Sequence, residues 1–113
     1  MKHVVFLALM VATSIIACNK TTNTYTPDCS GTAPSFKTDV LPLITGSCNT
    51  NSGCHASGSH EGPGALTTYT SISSAKVSIR SSVVNATMPQ NSTLTSAQKN
   101  TIVCWIDNGA ANN

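Results

Sequence analysis

The sequence predicts an all-α domain, a few short helices joined by long loops, and three observations carry that expectation. Thr95-Ser96-Ala97-Gln98 has the form of a capping box, and Ile102, Val103, Trp105 and Ile106 after it make one apolar helical stripe. In SFKTDVLPLITGSC, Phe36, Val40 and the pair Leu43/Ile44 fall on one helical face. Between these two segments lies a polar stretch carrying Gly53, Gly58, Gly62 and Gly64, which reads as loop.

From the start of the chain, Lys2 and His3 precede Val4 to Ile16, an apolar run without charge. The run has about 13 residues, roughly 20 Å as a helix, which is short for a membrane span and right for the core of a secretory signal. Ile15-Ile16-Ala17-Cys18 looks like a bacterial lipoprotein box, with cleavage before Cys18 and acylation of its thiol. The alternative is an ordinary signal peptide in which Cys18 is incidental. Residues 1–17 are therefore expected as a lipoprotein signal peptide, and 18–34 as a lipidated N-terminus and flexible tether. The stretch NKTTNTYTPDCSGTAP that follows Cys18 is rich in Thr, Asn and Pro and has no apolar period. The remainder, 35–113, is the expected domain.

Within it, Ser35 is placed to cap the first helix, Pro42 predicts a kink or a late start, and Gly46 predicts its end. Tyr69 and Ile72 mark a short apolar-spaced segment. Val77, Ile79, Val83 and Val84 mix helical and strand spacing, and their β-branching weakens the helical reading. The last helix is expected to stop at Gly109, and the tail ANN carries no further signal.

From Cys18 on, five basic side chains (Lys20, Lys37, Lys76, Arg80, Lys99) face four acidic ones (Asp28, Asp39, Glu61, Asp107), a balance that offers no basic patch for nucleic acid. Aromatic residues after Cys18 are limited to Tyr25, Phe36, Tyr69 and Trp105. A domain this small and lean is expected to need a staple, a metal or a cofactor to complete its core. Export would place Cys29, Cys48, Cys54 and Cys104 in an oxidising compartment, where thiols are bridged, metallated or attached to something.

Residues 48–55, CNTNSGCH, suggest what that something is. Two cysteines with a histidine directly after the second resemble the haem attachment motif of c-type cytochromes, although the gap is five residues rather than two. Cys48 and Cys54 would hold the porphyrin by thioethers and His55 would ligate iron. A porphyrin would also complete the core. The adjacent Cys54-His55 pair is the stricter half, and Asn49, Thr50, Asn51, Ser52 and Gly53 are the small polar residues a bulge toward Cys48 would use. The same residues with His60 could instead hold zinc or copper, and His60 can equally be a solvated loop residue. Met88, in NATMPQNS, is the one methionine after Cys18 and lies 33 residues past His55. Pro89 pushes it out of helix, which suits an axial ligand on a loop, against the alternative of core filler. Arg80 could pair with a haem propionate or stay a solvated charge, and Gly62-Pro63-Gly64 could supply a carbonyl to the His55 Nδ1 hydrogen.

Taken together, SFKTDVLPLITGSC, CH, TMP and LTSAQKNTIVCWIDNGAANN resemble the small lipoprotein cytochrome c domains of Bacteroidetes-type bacteria, over about residues 29–113. The resemblance implies a cytochrome c-like fold with short helices around one covalent haem c. It implies attachment through Cys48 and Cys54 and axial ligation by His55 and Met88. It further implies that the first and last helices cross, with Cys29 and Cys104 bridging the contact; pairing of Cys48 with Cys54 is the alternative partition. Phe36 and Trp105 would then pack against the ring. The implied role is one-electron transfer between transient redox donor and acceptor proteins, without enzymatic chemistry of its own. The implied location is the periplasmic or surface side of the outer membrane, anchored through Cys18.

Overall fold

The computed structural model describes residues 24–113; the expected signal peptide and Cys18 lie outside them. Among the described residues the regular structure is helical, with no strand. A π-helical turn, Phe36–Val40, runs directly into α1, Leu41–Ser47; α2 is Tyr69–Ser74, α3 is Lys76–Val84 and α4 is Ser96–Asp107.

Ser35 caps the first segment as expected, its hydroxyl accepting from the Thr38 N–H. Pro42 lies in the first turn of α1, so the α-helix proper starts at Leu41, the late start that the proline predicts. Pro42 has no N–H to return to the Thr38 carbonyl, and its ring crowds that carbonyl, so the turn before it widens. Val40 N–H donates to Ser35 O and Leu41 N–H to Phe36 O, both five residues back. The helix also runs through Gly46 and ends at Ser47, with Cys48 as its C-cap.

The ambiguous segment at Val77 resolves as helix: Ile79 and Val83, four apart, are buried, while Val77 stands 76% exposed. A second capping box, on Thr68 and Ser71, opens α2. The box at Thr95 is formed in both directions, Gln98 N–H to Thr95 Oγ1 at 3.2 Å and Thr95 N–H to Gln98 Oε1 at 2.9 Å.

Alpha-4 packs against α3 and the π turn, so the first and last helical segments meet. At that contact Phe36, Tyr69 and Trp105 form an aromatic cluster, with ring centroids 5.1 Å apart for Phe36–Tyr69 and 5.4 Å for Phe36–Trp105. Val40, Ile44, Ile72, Ile102 and Val103 are fully buried around it. These side chains form one buried cluster, and no buried side-chain nitrogen or oxygen among the described residues lacks a partner. Phe36 and Trp105, expected as core residues, are buried, and the two rings pack on each other and on Tyr69.

The tail read as featureless does structural work. Ala110, at φ 53°, turns the chain back after Gly109, and Tyr69 Oη donates to its carbonyl. Trp105 Nε1–H donates to Ala111 O. Asn113 then meets the start of the first helix: Phe36 N–H donates to its Oδ1 at 2.8 Å and Lys37 N–H to its O at 2.9 Å. Helix N-termini leave such donors without intrahelical partners, and here the far end of the chain satisfies two of them.

The N-terminal segment is likewise held. Cys29 and Cys104 form a disulfide across 75 residues, Tyr25 Oη donates to Asn100 Oδ1 at 2.5 Å, and Lys99 Nζ sits 5.0 Å from the Tyr25 ring centre. Within the expected tether to residue 34, Tyr25, Asp28 and Cys29 are thus fixed to α4. An acceptor facing a hydroxyl and a cation facing a ring are partners that the Thr/Asn/Pro composition alone conceals.

Candidate functional site

With Cys29 and Cys104 bonded, the cysteines left as thiols among the described residues are Cys48 and Cys54, both half-buried. Cys48 closes α1, its N–H donating to Ile44 O at 2.8 Å, and its side chain packs on the core. Burial pushes the Cys48 thiol above its ordinary pKa, and the neighbouring Cys54 charge adds to that rise. A thiol so placed stays protonated at neutral pH and is a slow nucleophile.

Between the two cysteines the chain makes a solvent-exposed bulge. Asn51 organises it: its Oδ1 accepts from Gly53 N–H at 2.9 Å, and its carbonyl accepts from Cys54 N–H and Ala56 N–H, each at 3.0 Å. His55 N–H then donates to Cys48 O at 3.0 Å, returning the chain to the end of α1.

His55 is buried, 8% exposed, and its Nδ1 lies 2.9 Å from Gly64 O. A carbonyl can only accept, so this contact calls for hydrogen on Nδ1 and leaves the Nε2 lone pair available to a metal. The Gly62-Pro63-Gly64 turn therefore supplies a carbonyl partner, through Gly64. Gly64 has φ +82°, a conformation that glycine adopts without strain. Ser59, also buried, shapes the same loop: its hydroxyl donates to Cys54 O and accepts from Glu61 N–H. Leu66 N–H donates to His55 O at 2.8 Å and closes the loop onto the core. Ser59 was not singled out from sequence, where one serine among many carries no signal.

Met88 sits half-buried on the connection between α3 and α4, its N–H donating to Ser82 O. No hydrogen bond joins that connection to the 48–66 loop among the described residues, so Met88 and His55 stand on separate loops. Arg80 is engaged elsewhere, in a two-pronged ion pair with Asp107 at 2.7 and 2.8 Å. His60 is exposed, and no three His, Cys, Asp or Glu side chains gather around a metal position among the described residues. That geometry speaks against a zinc cage of Cys48, Cys54, His55 and His60, which needs four converging protein ligands. Haem makes a smaller demand, because the porphyrin supplies four nitrogens and the protein only the axial ligands. Two free thiols and a histidine whose Nδ1 is already engaged are the donor types that a covalently held haem would need.

A surface depression of about 560 Å³ lies away from this site, lined by Thr32, Pro34, Asp39, Pro42, Leu43, Gln98 and Thr101 among others. None of Cys48, Cys54, His55 or Met88 lines it. No family model matches this chain, and no curated protein or solved structure matches it either.

Proposed function

We propose that the chain is a lipid-anchored monohaem c-type cytochrome that passes single electrons between redox proteins in the periplasm or at the outer membrane. The observation that carries this reading is the division of labour among the cysteines. Cys29 and Cys104 are used up in a staple, while Cys48 and Cys54 stay as thiols next to a buried histidine whose Nδ1 has a carbonyl partner. Cys48 and Cys54 would hold one haem c covalently, with His55 and Met88 as axial ligands and Cys18 carrying the lipid. When bound, the haem supplies the one-electron couple.

The protein's part is positional. The Gly64 carbonyl orients the His55 ring and raises its basicity as a ligand. Ligation by both His55 and Met88 would leave iron no open site, in keeping with an electron carrier rather than an enzyme. A thioether ligand such as Met88 raises the potential. Partner encounters would be small and transient, as redox contacts usually are.

The test is a reduced-minus-oxidised spectrum of the chain exported from a host expressing haem-maturation genes. Sharp α and Soret bands are expected, and a folded, colourless product refutes the reading. Met88→Ala should keep the haem, shift the spectrum and lower the potential. An unchanged spectrum and potential would remove Met88 from the ligand set.

A further inference from the structure

In an α-helix each N–H donates to the carbonyl four residues back. A helical Cys-x-x-Cys-His would therefore bond its histidine N–H to the first cysteine's carbonyl. Here the His55 N–H donates to Cys48 O across seven residues, the same pairing lengthened by the three residues in which the two gaps differ. The next helical bond would join the residue after histidine to the residue after the first cysteine. Here Ala56 N–H donates to Asn51 O, which gives Asn51 that second role. By this register Asn49, Thr50 and one of Ser52 or Gly53 are surplus. Residues 50–53 are exposed, Asn49 is half-buried with its N–H on Ile44 O, and the chain turns inward again at Cys54, half-buried, and His55, buried.

We infer that the five-residue gap is a two-residue haem-attachment gap with three residues looped out, and that Asn51 is the positioning residue that returns the chain, so that both Cys48 and Cys54 form thioethers. The inference rests on the haem reading above. In each thioether the thiol adds across one vinyl group. The S–H bond and the vinyl π bond break, a C–S and a C–H bond form, and no oxidant or reductant is consumed.

The full chain, co-expressed with haem-maturation genes, is unfolded, alkylated and weighed. The expected product carries one haem and no alkyl group on Cys48 or Cys54. A product with haem but an alkylated Cys48 overturns this inference and leaves the cytochrome reading standing; a folded product without haem overturns both. Deleting Asn49, Thr50 and Ser52 leaves Cys48-Asn51-Gly53-Cys54-His55, and haem occupancy should equal or exceed that of the parent. Lower occupancy in a chain of unchanged helical content contradicts the register.

Amide exchange on the haem-free chain, with Cys29–Cys104 bridged and Cys48 and Cys54 as thiols, tests the same geometry without attachment. His55 and Ala56 should be protected while Thr50 and Ser52 exchange freely. Asn51→Ala should speed exchange at Gly53, His55 and Ala56, and Asn51→Asp, which keeps the acceptor oxygen, should restore protection. Equal protection in the alanine variant removes Asn51 from its role.

Discussion

The two ends of this small domain are held together by different forces. Around α4, apolar area does the holding: Trp105 is 1% exposed and Ile102 and Val103 are fully buried, while the disulfide fixes Cys29 to α4 and Asn113 caps the turn at Phe36. In the 48–66 loop few large apolar side chains are buried, Leu66 being the main one, and backbone hydrogen bonds anchored by Asn51, Ser59 and Gly64 give the shape. The first region is a scaffold that tolerates little change in volume. The second can present a histidine and two thiols because its geometry depends on polar contacts that use His55 Nδ1 and leave Nε2 and the two thiols unbonded.

The sharpest way to break the contrast is to empty the scaffold. Trp105→Ala removes the largest buried side chain and should cost about 3–5 kcal/mol of stability, read by denaturant unfolding. Opening the staple comes next. Replacing Cys29 and Cys104 by serine should cost on the order of 2–4 kcal/mol, since the loop it closes is long. Circular dichroism melts should show one cooperative transition at lower temperature, and an unchanged melt would mean the staple constrains nothing.

Ser59→Ala sharpens the comparison from the loop side. It takes the hydroxyl from the Cys54 carbonyl and the Glu61 N–H, at an expected cost of about 1–3 kcal/mol for an unmet buried group. The effect should concentrate on the loop: faster amide exchange at His55 and Leu66, with α4 amides unaffected. Uniform acceleration across α4 would show that the two regions are not energetically separable.

The smallest effect is expected at the Arg80–Asp107 pair. The Arg80 hydrogen bonds hold the Asp107 carboxyl below its ordinary pKa. Its contribution is therefore complete above the unfolded carboxylate range, near pH 4, and is lost as pH falls through the lower folded value. Both side chains are more than a third exposed, so water screens the pair and the contribution is about 0.2–1 kcal/mol. Unfolding measured from pH 6 to pH 2 should converge for the parent and Arg80→Ala at the acid end.

What could be read in the chain divides along the same line. The α4 cap and stripe, the Phe36/Val40/Ile44 face, the Ser35 cap and the Gly62–Gly64 carbonyl were legible because each depends on neighbours close in sequence. The pairing of Cys29 with Cys104 came from resemblance and is present in the structure. Pro42 was read as a kink or a late start, and α1 does begin beside it; the widened turn that precedes it leaves no mark in composition. The docking of Tyr25 on Asn100 and of Asn113 on Phe36 was hidden for another reason: their partners lie 75 and 77 residues away.

By itself, then, the order of residues determined the helical class, the caps and the CNTNSGCH constellation, because short-range hydrogen bonding and apolar periodicity act within a few residues of the chain. Only the tertiary structure decided which cysteines remain thiols, that Phe36, Tyr69 and Trp105 meet in the core, and that His55 returns to Cys48. Those outcomes depend on which distant groups meet once apolar area is buried, and on every buried polar group then finding a partner.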